Sequence, residues 1–159
     1  MIERTYPEFS TRYPLLLTTF MKRPVRTYPE EIGVVYRNQA TGQYQRFTWM
    51  EWYRRTCRLA HALKTLGLNS GKPDQPGDRV ATMALNTHRH LELYYATPCS
   101  GLVLHPINVR LSPEHIIYTI NHAEDTVIFF DDLFLLTLTI SQWLRPELPV
   151  SSRALRGPA

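Results

Sequence analysis

Three histidines, His88, His90 and His105, stand among Asn86, Thr87, Asn108, Arg110, Asp131 and Asp132. Imidazoles, carboxylates, amides and a guanidinium can bind a metal, hold a phosphate or move a proton. The spacing narrows that menu. His88 and His90 stand two residues apart, and side chains so spaced diverge on a helix. No cysteine or acidic partner follows at a zinc-ligand spacing, so no metal site is expected. No Gly-x-Ser-x-Gly turn supports a hydrolase triad, although six histidines are present. Neither Gly-x-Gly-x-x-Gly nor a Gly-Lys-Ser/Thr loop occurs, so the two usual phosphate cradles are missing. Cys57 and Cys99 give no disulfide framework. Each falls in a helical pattern and is expected to be a small buried residue rather than a reactive thiol.

The polar groups lie just beyond short apolar runs. Arg79–Leu85 reads as a buried strand, Leu102–His105 as a second strand and Thr126–Phe130 as a third. Helical patterns separate them. Thr87–Ser100 places Leu91, Tyr94, Tyr95 and Pro98 on one side, with Gly101 as the stop. Leu111-Ser112-Pro113-Glu114-His115-Ile116 is a dense helix start, with Ser112 as cap and Pro113 at the first helical position. Asp131 or Asp132 caps a last predicted helix through Trp143. Strand and helix in alternation at this spacing predict parallel strands with crossover helices. Strands apolar throughout fit a sheet covered on both faces. The fold class is therefore α/β, a partial doubly wound and mostly parallel sheet.

Ligands of such sheets sit beyond the carboxyl ends of the strands. That makes His105, Asn108 and Arg110 the candidate cofactor-binding residues. Asn86, Thr87 and Asp131 serve equally well as helix caps, the weightier reading for each. No catalytic residue and no metal ligand is assigned.

Before this half-sheet, Ile32–Arg37 and Gln43–Thr48 read as a β-hairpin turning at 38–42. Thr48 and Glu51 form a capping box, followed by a stripe from Trp49 to Leu66. Gly67 ends that helix, and Leu68 closes its cap. A polar loop runs from Asn69 to Asp78. The first thirty residues are rich in Pro and Tyr. Leu15–Arg26 could be helical there, with Pro24 expected to end or kink it. Domain boundaries follow: an extension at 1–30, the main unit at 31–149 and a disordered tail at 150–159.

With 159 residues the chain can hold one sizeable core, burying roughly 70% of its unfolded surface. Hydrophobic residues are 43% and charged residues 20%, which excludes wholesale disorder and a membrane bundle. No signal peptide or membrane-spanning stretch is visible, so the expected compartment is the cytoplasm. The net charge is +4. The basic residues between Lys22 and Arg58 read as a solvated face rather than a nucleic-acid site.

Three strings carry a resemblance: Gly77-Asp78-Arg79-Val80-Ala81 with Asn86 to Pro98; Gly101-Leu102-Val103-Leu104-His105-Pro106-Ile107-Asn108-Val109-Arg110-Leu111-Ser112-Pro113-Glu114; and Ile120-Asn121-His122-Ala123-Glu124-Asp125. They resemble the N-terminal region of the AMP-forming acyl-CoA synthetases, especially the medium- and long-chain fatty-acid ligases. The likeness runs from about Tyr13 to Pro149. It implies the adenylate-forming fold and a two-step reaction. A carboxylate attacks the α-phosphate of ATP, and coenzyme A then displaces AMP. For the full-length family it implies ATP, magnesium, CoA and a fatty acid. The Ser/Thr/Gly-rich phosphate loop and the catalytic lysine of that family have no counterpart here, so the chain is expected to be truncated and inactive alone. The loop Asn69–Pro76 looks longer than the family's. An open strand edge would invite self-association or binding to an intact synthetase subunit, with residues 1–30 as the contact.

Overall fold

The computed structural model describes residues 16–38, 41–72 and 74–135. In chain order it holds α1 (Leu17–Thr27), β1 (Ile32–Arg37), β2 (Tyr44–Thr48), α2 (Trp49–Thr65), β3 (Arg79–Met83), α3 (His88–Cys99), β4 (Val103–Pro106), α4 (Pro113–Ala123), β5 (Val127–Phe130) and a 3₁₀ turn (Asp132–Phe134). The expected tail at 150–159 and most of the predicted last helix fall outside the described residues.

β1 and β2 form the expected antiparallel hairpin, with Val35 opposite Arg46. The second sheet has the order β4-β3-β5 and is parallel throughout. The chain thus crosses over β3 to lay β5 on its far side. β3 is buried on both faces, and its alternating side chains feed two cores. Ala81 and Met83 face Ile107, Ile116, Ile120 and Ile128, beneath α4. Val80 faces Leu63, Ala96, Leu102 and Val127, beneath α2 and α3. Helices on both faces make this the doubly wound half-sheet that the alternation of patterns predicts. A third cluster, Met21, Val34 and Trp52, joins α1, the hairpin and α2.

Local chemistry sets the element ends. Thr48 Oγ1 accepts from Glu51 N–H at 3.1 Å, and Glu51 Oε2 accepts from Thr48 N–H at 2.8 Å, the full capping box. Gly67 follows α2 at φ 78° and Gly101 follows α3 at φ 77°, backbone that favours glycine. Pro24 does not end α1. The helix runs on to Thr27, because Thr27 Oγ1 donates to Arg23 O and Tyr28 N–H donates to Pro24 O, closing the last turn. Ser112 stands at the N-cap of α4, but its hydroxyl bonds the His115 ring instead of a backbone amide.

The long loop before β3 is tied down rather than loose. Asn69 N–H donates to the Asp78 carboxylate at 2.8 Å, and Asp78 N–H returns to Asn69 O at 2.9 Å. Gly71 N–H donates to Gly101 O at 2.7 Å. Gly77 lies so close to the same carbonyl that a Cβ there would collide with Gly101 O.

Three expectations about α2 and α3 are corrected. Arg55 is not a solvated cation: it clasps Glu92 through both Nε and Nη2 and lies 5.1 Å over the Phe47 ring. Glu92 is a buried carboxylate, so this ion pair pins α3 onto α2. Leu91 and Tyr94 are 36% and 44% exposed and do not form the inward face of α3. His88, His90, Glu92, Leu93, Ala96 and Thr97 do, because α3 is covered by the hairpin, α2 and the sheet at once. Cys57 is likewise exposed, since it falls off the line of Trp52, Thr56 and Leu63.

Two stability outcomes follow. Gly77→Ala should destabilise by ~1–3 kcal/mol in urea titration, because backbone rather than a flexible side chain must move. Arg55→Ala should cost roughly 2–3 kcal/mol, since Glu92 is left buried and unpaired, whereas Glu92→Ala should cost roughly 1–2 because Arg55 can rehydrate. Equal losses for the two would show that the burial of Glu92 does not set the cost.

Candidate functional site

The carboxyl end of β3 is the part of the fold where polar groups converge. A cavity of about 350 Å³ opens there between the hairpin and the start of α3. Val34, Val35 and Tyr36 form one wall; Leu91 and Tyr94 form the other. Asn86, Thr87, His88 and His90 supply the polar lining. Thr87 is the N-cap of α3 and accepts from His90 N–H at 3.3 Å, as the capping reading requires.

The two neighbouring histidines diverge to different partners. His90 turns into the sheet. Its Nδ1 lies 3.2 Å from Leu85 O and its Nε2 lies 3.0 Å from Thr82 Oγ1. A carbonyl only accepts, so Nδ1 carries the proton and Thr82 donates its hydroxyl to Nε2. Both nitrogens are thereby used, and burial lowers the pKa of the ring, so it is held neutral. Thr82 is also satisfied, which explains a hydroxyl in the middle of an apolar strand.

His88 turns the other way, onto the hairpin. Its ring stacks on Phe47 at 4.9 Å and tilts against Tyr36 at 5.0 Å. The residue is 8% exposed, and its Nδ1 is buried without a hydrogen-bond partner. Burial, and then the positive charges of Arg55 and Arg89, push the imidazole down to about 4.

The strand-end candidates do not assemble into one group. His105 lies inside β4, where its Nδ1 donates to Asp125 at 2.8 and 3.0 Å. The Asp125 side chain is fully buried. Burial raises its pKa, against the opposing pull of His105 and Arg79. Glu124, in the left-handed region at φ 53°, turns the chain so that Asp125 enters the interior. Asn108 shapes the turn after β4, its Oδ1 accepting from Arg110 N–H at 3.0 Å. Asn108 and Arg110 are exposed and away from the cavity lining. Asp131 closes the end of β3: its carboxylate accepts from Leu85 N–H at 2.8 Å, and its own N–H donates to Met83 O.

Sequence reasoning missed three features: the His105–Asp125 pair, the Arg55–Glu92 clasp and the hairpin wall of the cavity. Each joins residues far apart in the chain, and no periodicity encodes such a meeting.

The cavity's donors do not fit magnesium or a triphosphate. Magnesium selects oxygen ligands, with carboxylates foremost, and none of the residues lining the cavity is a carboxylate. No lysine or arginine lines it either, and both nitrogens of His90 are already spent. Among the described residues no group of three or more His, Cys, Asp or Glu is placed to hold a metal ion. No helix among them is long and apolar enough to cross a membrane. The arrangement orients side chains and buries a small volume; it offers no phosphate clamp.

Known proteins share both the sequence and the fold. Residues 21–153 match the family model of the AMP-binding enzymes. A 3-methylmercaptopropionyl-CoA ligase of Ruegeria lacuscaerulensis is 42% identical over 123 residues, 77% of this chain and 21% of that protein. A long-chain-fatty-acid–CoA ligase of Thermus thermophilus is 50% identical over 91 residues, 57% of this chain and 16% of that protein. The chain thus spans about a fifth of the length of these curated relatives. Among solved structures, an anthranilate CoA ligase in complex with anthranoyl-AMP superposes with a TM-score of 0.72 at 16% identity, covering 87% of this chain and 25% of that one. A long-chain-fatty-acid CoA ligase from Rhodopseudomonas palustris gives 0.66 at 22% identity, covering 80% and 30%. At such identity these structures speak for the fold alone. With the family model matching well over half its length, this chain belongs to the AMP-binding enzyme family and carries a part of the adenylate-forming fold.

Proposed function

We propose that these residues are part of the scaffold of a fatty-acyl-CoA synthetase, and that the 159 residues alone do not turn over. The reaction joins ATP, a fatty acid and CoA into acyl-CoA, AMP and pyrophosphate. Its first step develops negative charge at the α-phosphate, which must be met by cations, oriented amides and magnesium. The observation that carries the reading is a contrast. The family match covers the whole described sheet, yet the cavity at the end of β3 is lined by Val34, Val35, Tyr36, Leu91 and Tyr94 with neutral polar groups. His90, Thr82, Leu85 and Asp131 spend their bonds on holding the strand end. His105 is spent on Asp125. Arg110 and Asn108 after β4 are exposed strand-end groups that can reach a nucleotide or a neighbouring part of the enzyme, and Asp132 after β5 is exposed as well. The fatty-acid preference rests on the fatty-acid ligases among the similar proteins.

A second reading is a non-catalytic module that binds an intact synthetase subunit. It is favoured by Leu16, Leu17 and Phe20, all exposed on and before α1, and by the outer edges of β4 and β5, which pair with no further strand among the described residues.

The 159-residue chain, given ATP, magnesium, CoA and fatty acids from hexanoate to palmitate, should release pyrophosphate at background rate. A rate above background overturns the claim of inactivity. Residues 21–153 should also replace the matching stretch of the Thermus thermophilus ligase with acyl-CoA synthesis retained; a folded but inactive chimera would count against the scaffold assignment. Co-purification with an intact synthetase would favour the second reading.

A further inference from the structure

The hairpin meets the start of α3 at one ring, and further along the helix Tyr95 and Cys99 pack with Val34 and Phe47 in the third cluster. Tyr36 of β1 and Phe47 of β2 hold His88 between them at 5.0 and 4.9 Å. Val34, Val35 and Tyr36 on one side of this contact and His88, Leu91 and Tyr94 on the other are the walls of the cavity. The contact therefore ties the two walls of the cavity together. Phenylalanine would meet the same aromatic neighbours without a polar atom. Histidine brings two nitrogens, and Nδ1 is buried with no partner.

We propose that His88 is a pH-sensitive latch: protonating its ring breaks the stack with Tyr36 and Phe47, frees the hairpin from the start of α3 and widens the cavity between them. The surroundings explain the direction. The titratable groups that face the ring are Tyr36 from β1, Arg55 from α2 and Arg89 from α3. Arg55 is itself clasped to the Glu92 carboxylate. A proton on His88 would put a positive charge in a buried place on the same side as Arg55 and Arg89, with an Nδ1–H that has no acceptor. His90, the other buried imidazole nearby, is anchored to Thr82 and Leu85 on the sheet, so its protonation would strain β3 rather than the hairpin.

The sign follows by linkage. The closed state holds His88 at about 4, against an ordinary 6.5 for the released ring. The closed state is therefore fully favoured above the released value, and its advantage falls as pH drops from about 6.5 towards about 4. Between ~pH 7.5 and ~pH 5 the open fraction should rise roughly 30-fold, given that depression of the ring.

Native-state hydrogen exchange on the 159-residue chain reads this directly, once corrected for the intrinsic pH dependence of exchange. Hairpin amides at 32–37 and 44–48 should lose protection roughly 30-fold over that interval, while those of β3 hold. His88→Phe should abolish the loss. A loss that persists in His88→Phe, a loss shared equally by β3, or no loss at all would each overturn the latch. Should His88→Phe fail to fold, NMR titration of the His88 ring in the unaltered chain decides: a midpoint near 4 supports the latch, and one at about 6 or above overturns it.

Discussion

A single strand buried on both faces is the constraint from which the rest of this fold follows. β3 has five residues, and Val80 to Met83 are all buried. Its peptide groups need a hydrogen-bonding neighbour on each edge, and β4 and β5 supply them as parallel strands. Parallel neighbours demand crossover helices, and those helices cover the two faces that the alternating side chains present. Val80 and Ala81, adjacent in sequence, thus lie in different cores. A strand so enclosed tolerates a polar side chain only with a partner, and Thr82 finds His90.

Where β3 ends, enclosure gives way to polar chemistry. Leu85 and Asp131 exchange bonds with the strand end, Thr87 caps α3, and a small cavity remains under the hairpin. The same helix start sends one histidine into the sheet and the other into the hairpin. The first is satisfied at both nitrogens. The second stacks against two rings with its Nδ1 buried and without a partner, which couples packing to protonation. One residue type, two positions apart, thus serves two purposes: His90 fixes the core, and His88 ties the contact between hairpin and helix to charge.

Membership of the AMP-binding enzymes fits a scaffold role. The described residues supply a half-sheet, its covering helices and a tied loop in which Asp78, Gly77 and Gly101 lock together. In the Gly-Asp-Arg-Val string, glycine is required by the approach of a carbonyl and aspartate by the amides of Asn69. Function in such folds resides in sites placed on the scaffold. No lysine, arginine or carboxylate is among the residues that line the cavity at the end of β3.

The sequence by itself determined the local structure. The capping box at Thr48 and Glu51, the stops at Gly67 and Gly101, the proline start of α4 and the apolar runs of β3, β4 and β5 are short-range matters of hydrogen bonding and periodicity, and they were legible. Strand edges differed by a residue or two, and Pro24 was accommodated where an interruption was expected. Only the tertiary structure decided which groups meet. It placed Glu92 inside against Arg55, turned Leu91 and Tyr94 outward, drew His105 to Asp125 and separated it from Asn108 and Arg110. The physical reason is that a helix pattern records one apolar face, whereas α3 is covered from three directions. Contacts across 20 to 46 residues depend on crossovers that leave no periodic trace.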